Sequence, residues 1–138
     1  MRIIKVTLSY DQLIIKKMKK VSTRAHGIMD YISGLIIIAS PWLLNFADGT
    51  IAQWLPVVIG VVLLLSSIMT NYESGLVRII PMPVHLWLDI FVGALLLVSP
   101  WVFGFADRIY LPHVIFGLFE MGAGFMTQTH PSYRTMAH

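Results

Sequence analysis

The chain of 138 residues contains no cysteine. A disulfide, a thiolate metal site and a cysteine nucleophile are therefore all excluded. Charge is scarce too. Only 12% of residues are Asp, Glu, Lys or Arg, against about a quarter in soluble domains. No nucleophile triad, phosphate loop or cofactor fingerprint occurs, and without them the usual signs of catalysis are missing. The stretch 55–69 offers only Gly60, Ser66 and Ser67 on its polar side. A helix of a soluble bundle needs a broader polar stripe than that.

What the chain has in excess is apolar surface. Hydrophobic residues make up 57% of it and the mean hydropathy is +0.75. Four apolar segments lie near 26–46, 52–71, 84–105 and 110–127. Each is long enough to cross a hydrocarbon core of about 30 Å as a helix. Runs such as Leu35-Ile36-Ile37-Ile38 and Val61-Val62-Leu63-Leu64-Leu65 do not alternate, which excludes barrel strands. Helices satisfy their own backbone in lipid. The expected fold is all-α, an integral membrane four-helix bundle.

The sequence also repeats itself. His26, Asp30 and Gly34 lead into Ser40-Pro41-Trp42 and then Phe46-Ala47-Asp48. The same set returns, 59 positions on, as His85, Asp89, Gly93, Ser99-Pro100-Trp101 and Phe105-Ala106-Asp107. Further on, Gly60 pairs with Gly117 and Met69-Thr70 with Met126-Thr127, at a spacing of 57. A shorter outer loop in the second copy would account for the difference. The units are a basic arm at 1–24, a first two-helix repeat at 25–72 and a second at 84–130.

Basic residues set the orientation. Arg2, Lys5, Lys16, Lys17, Lys19, Lys20 and Arg24 precede the first span, Arg78 follows the second and Arg134 lies in the tail. Only Arg108 falls on the other side. Both termini are expected in the cytoplasm, and the two hairpins become parallel repeats about an axis along the membrane normal. Trp42, Trp54, Trp101 and Tyr110 would sit at the outer interface, and Tyr31, Tyr72 and Trp87 at the inner one. The cluster Lys16, Lys17, Lys19 and Lys20 reads as an anchor on anionic lipid. Because the basic excess is this one juxtamembrane cluster, nucleic acid is not an expected partner. Residues 1–24 lack the uninterrupted apolar core of a secretory signal, and the alternation over 3–8 fits either a short strand or part of an interfacial amphipathic helix.

The repeated residues carry the candidate chemistry. Pro41 and Pro100 should kink or end their helices, with Ser40 and Ser99 turned onto the freed carbonyls. Trp42 and Trp101 complete the motif. His26 and Asp30 share a helix face, as do His85 and Asp89. A two-fold gathers His26, Asp30, Glu73, His85, Asp89 and His130 at the cytoplasmic end. Three readings stay open for this set: helix-end hydrogen bonds, proton handling, or a divalent metal. Glu120 lies mid-span opposite Leu63 of the first copy and breaks the symmetry, with His113 as its candidate partner. An ionisable residue at that depth is a functional candidate.

The doubled Ser-Pro-Trp, each about ten residues after an Asp on an apolar helix, resembles the SPW repeat family of small bacterial membrane proteins. The resemblance rests on Asp30, Gly34, Ser40-Pro41-Trp42 and Phe46, and on Asp89, Gly93, Ser99-Pro100-Trp101 and Phe105. It covers roughly 26–127 and implies a hairpin topology in a prokaryotic membrane. It brings no catalytic residues to carry over. The expectation is a non-enzymatic structural or accessory component of the bacterial inner membrane, with no cofactor, and with a second copy or a membrane complex as partner. The alternatives are a small transporter or proton-coupled element using Glu120, and a haem, metal or quinone binder.

Overall fold

The computed structural model describes residues 21–131. Residues 1–20 of the arm, with the lipid anchor read into Lys16, Lys17, Lys19 and Lys20, lie outside the described residues, as does Arg134. Four helices follow one another: α1 Thr23–Leu43, α2 Ile51–Met69, α3 Met82–Val102 and α4 Leu111–Met126. Among the described residues there is no strand, only two isolated parallel bridges.

The Ser-Pro-Trp motif is a helix terminator. Pro41 and Pro100 stand in the last turns of α1 and α3. Neither can donate to the carbonyl four residues back. The preceding serine takes over that duty. Ser40 Oγ donates to Ile37 O at 2.8 Å, and Ser99 Oγ to Leu96 O at 2.7 Å. Each such bond is worth about 1 kcal/mol net. The chain then turns through the left-handed region, at Asn45 (φ 57°) and at the matched Gly104 (φ 70°). This is the usual way to close a helix C-terminus. Phe46 and Phe105 fold back, their N–H groups donating to Pro41 O and Pro100 O at 2.8 Å.

The two-residue deficit of the second copy falls on the helix and not on the loop. Helix α4 has 16 residues against 19 in α2. It begins at Leu111, the position matched to Trp54, with Pro112 in its first turn.

Each hairpin is tight and the two meet lightly: α1 packs mainly on α2 and α3 mainly on α4. Glycines set the close approach. A Cβ on Gly60 would lie 2.7 Å from Gly34 O, and one on Gly117 2.6 Å from Gly93 O. Between the hairpins run an apolar layer of Ile37, Ile59, Leu63, Val92 and Leu96 and a polar cluster toward the end of the bundle where α1 begins and α4 stops, the chain-terminal end. The bridges also cross between repeats. Val21, before α1, pairs with Thr127 at the end of α4, while Ile80, before α3, pairs with Thr70 at the end of α2. A two-fold relates these bridges. At the opposite end Arg108 pairs with Asp48 and donates to Thr50 Oγ1 at 2.8 Å.

Polarity is inside out. Ile28, Ile32, Leu35, Val58, Leu65, Phe91, Val98, Ile115 and Leu118 are exposed, while His, Asp, Ser and Glu side chains are buried. An apolar exterior on this scale exceeds what soluble monomers carry. Four spans were expected; by length and composition two helices qualify, α2 and α3. Helix α1 has 21 residues, but His26, Asp30, Ser33 and Ser40 on its buried face lower its hydropathy. Helix α4 is short. Tyr72 departs from its expected interfacial place. It is fully buried, and burial pushes its phenol above the ordinary tyrosine range. Trp42, Trp54, Trp87 and Trp101 are exposed.

Candidate metal centre

His26 enters three residues into α1 and His85 three residues into α3. Asp30 and Asp89 follow one turn later on the same faces. The two-fold brings all four together between the hairpins, none more than 1% exposed. One ligand atom from each lies within 4.8 Å of all the others. The closer partner of each histidine is the aspartate of the other repeat, not its own neighbour four residues on. His85 Nε2 is 2.8 Å from Asp30 Oδ2, and His26 Nε2 is 3.0 Å from Asp89 Oδ2. The contacts within a repeat are longer, 3.3 Å for His26–Asp30 and 3.4 Å for His85–Asp89. The two Nε2 atoms are 3.3 Å apart.

Surrounding side chains orient this set. Thr127 Oγ1 lies 2.6 Å from Ala123 O and 3.0 Å from His26 Nδ1. A carbonyl only accepts, so the single hydroxyl proton goes to Ala123 O. His26 must then donate its Nδ1–H to Thr127 Oγ1. In neutral His26 the Nε2 lone pair therefore faces two carboxylate oxygens. That arrangement is repulsive unless a cation, either a proton or a metal ion, sits among them. Ser67 Oγ donates to Asp30 Oδ2 at 2.8 Å. Tyr72 stacks on His85, with ring centroids 5.9 Å apart. Asp30 Oδ1, Asp89 Oδ1 and His85 Nδ1 are buried and have no hydrogen-bond partner among the described residues.

The SPW repeat domain model matches residues 24–127, three quarters of the chain and both copies of the motif. The chain belongs to the SPW repeat domain family. Membership and the two long apolar helices mark it as a small membrane protein. No curated protein and no solved structure matches it.

The remaining sequence candidates of this SPW repeat protein fall elsewhere. Glu73 stays outside the cluster and accepts from Thr23 Oγ1 at 2.6 Å. His130 is exposed, at the rim of a cavity beyond the chain-terminal end of the cluster. His113 does not pair with Glu120. Seven residues of helix separate them by about 10 Å. His113 Nε2 donates instead to Ala52 O at 3.0 Å, and its ring packs between Phe46 and Phe105 at 5.6 and 4.9 Å. Glu120 is fully buried beside Ser33 and within electrostatic reach of Asp30, Asp89 and His26, but neither carboxyl oxygen makes a well-formed hydrogen bond among the described residues.

Sequence reasoning did not single out Ser67 or the stacking of Tyr72. The signal for Ser67 was present, a serine pair in an otherwise aliphatic span at the depth of Asp30. Nothing in the sequence marked the two phenylalanines as the pocket of His113.

Proposed function

We propose that this chain is a small, non-enzymatic accessory protein of the bacterial cytoplasmic membrane that holds one divalent metal ion between its two hairpins. The carrying observation is the set of four donor atoms from His26, Asp30, His85 and Asp89, buried and mutually within 4.8 Å. Four ligands at about 2.0–2.1 Å from a tetrahedral ion stand about 3.3–3.4 Å apart. Three of the six separations fall there, at 3.3, 3.3 and 3.4 Å, and all six are within 4.8 Å. Two imidazoles and two carboxylates suit zinc or another first-row divalent ion. Two aspartates balance its charge, which matters where isolated charge is expensive. The tautomer fixed by Thr127 leaves His26 Nε2 free to ligate, the usual outer-shell arrangement for a metal-bound histidine.

A second reading rests on the two cross pairs, which at 2.8 and 3.0 Å lie within hydrogen-bond range. Protons in place of metal would make the cluster an ion-paired clasp. Metal analysis separates the two. Full-length protein, extracted from membranes and washed with a weak chelator, should retain about one zinc or similar ion per chain. Protein that folds normally and neither retains metal nor takes up added zinc would establish the clasp instead.

Two alternatives receive less support. A haem needs histidines on opposite sides of a wide plane, whereas these Nε2 atoms are 3.3 Å apart with two carboxylates beside them. A proton element built on Glu120 and the His/Asp cluster lacks a hydrogen-bonded relay, since neither carboxyl oxygen of Glu120 makes a well-formed hydrogen bond among the described residues.

Both ends of the chain are assigned to the cytoplasm on the distribution of Lys and Arg. A reporter fused at Asp48 or Asp107 should therefore be active only outside the cytoplasm, and cytosolic activity at either position would reverse the assignment.

A further inference from the structure

A buried metal centre needs a way in, and the walls of this one differ. Beyond the cluster, toward the Arg108–Asp48 end, lies the apolar layer of Ile37, Ile59, Leu63, Val92 and Leu96. Toward lipid the gap between α1 and α4 is a groove lined by Met29, Ile32, Ile36, Phe116 and Phe119, with Ser33 its only polar side chain. A hydrated cation has no favourable route through either.

The chain-terminal end is different. A cavity of about 320 Å³ opens there, bounded by Asn71, Pro81, Met82, Thr129 and His130 among others. Its walls run directly into the cluster. Pro81 O accepts from His85 N at 3.2 Å, so the rim lies one helical turn from His85. Thr129 and His130 follow Thr127, which holds His26. Asn71 precedes Tyr72, whose ring lies on His85. Met82 lines the cavity and packs in one buried group with Tyr72.

We infer that this cavity is the loading port of the buried site, with His130 as the first ligand a divalent cation meets and Tyr72 with Met82 as the layer that must part to admit it. The inference rests on the metal reading of the cluster. It makes the ion exchangeable with the compartment at the chain-terminal end rather than locked in at folding. No bond is made or broken apart from coordination: His130 gives the ion up as His26, Asp30, His85 and Asp89 take it.

The test uses full-length protein in detergent, freed of metal, with zinc as the probe and a coloured chelator as the reporter. His130→Ala should slow both uptake and chelator-driven loss by about tenfold or more, the scale on which one supporting metal contact acts. Final stoichiometry and affinity should stay within about twofold, since His130 lies outside the four-donor set. His130→Cys supplies another metal-binding side chain and should restore rapid exchange, which a merely structural role for the histidine would not produce. Zinc binding with equal rates in wild type and His130→Ala would overturn the port and leave the metal centre standing. Slow exchange in both variants alike would also overturn it. Wild-type protein that binds no zinc would overturn the metal centre and the port with it.

Discussion

Asp89→Ala should abolish stoichiometric metal binding and destabilise the protein by about 3–5 kcal/mol, the usual cost of removing one partner from a buried charge set. Asp89 Oδ2 is the 3.0 Å partner of His26 and sits 3.4 Å from His85. Without it three donors remain around an ion with half its charge unbalanced, in a place that water does not reach. The ion would leave and the hairpins would part. Asp30→Ala should have the larger effect of the two, by about 1 kcal/mol, because Asp30 Oδ2 also accepts from Ser67. Metal content by elemental analysis and unfolding in detergent give the two readouts. Undiminished zinc in a folded Asp89→Ala protein would remove the cluster from consideration as a metal centre.

The same logic separates a clasp from a centre. Replacing a whole buried ionic set by well-packed apolar residues is often neutral or stabilising. A quadruple variant with apolar residues at 26, 30, 85 and 89 is therefore compatible with folding, and what it lacks relative to wild type is the contribution of the ion. The cluster lies where the hairpins meet, and few other contacts join them. An ion bound there couples the two repeats more directly than it stabilises either one.

Much of this was legible in the sequence because the repeat acts as its own constraint. Two copies of the same hairpin in register leave few ways to pack them, and a two-fold brings His26 to His85 and Asp30 to Asp89. Helix positions followed from apolar runs and from Ser-Pro, whose local chemistry does not depend on tertiary context. The pairing across the cluster was not legible. A spacing of four places His26 beside Asp30, but which aspartate lies closer depends on how one hairpin is rotated against the other. Tyr72 misled for a related reason. An aromatic ring just past a span looks like an interfacial anchor, but the loop 70–81 folds it inward, with Asn71 N donating to Ile80 O at 2.8 Å. Glu73 and His130 fell outside the cluster because the helices end at Met69 and Met126, and beyond those ends helical periodicity no longer places side chains.

Gly117→Ala should pry α3 from α4, whereas Gly122→Ala on the same helix should be harmless. At Gly117 the new Cβ would lie 2.6 Å from both Gly93 O and Leu97 N. These are backbone atoms of α3, so relief requires moving the helix rather than turning a side chain. Overpacking of this kind costs about 1–3 kcal/mol or more. The loss would appear as separation of α3 from α4, the tightest contact in the fold. The displaced α3 carries His85 and Asp89, so metal affinity should fall with stability even though neither ligand has changed. At Gly122 no atom lies within 4 Å of the added methyl, and alanine is the better helix former by about 1 kcal/mol. Thermal unfolding of the two variants in one detergent makes the comparison. Equal midpoints would mean that the glycine contact does not hold the hairpin together, and the placement of the second histidine–aspartate pair would then need another cause.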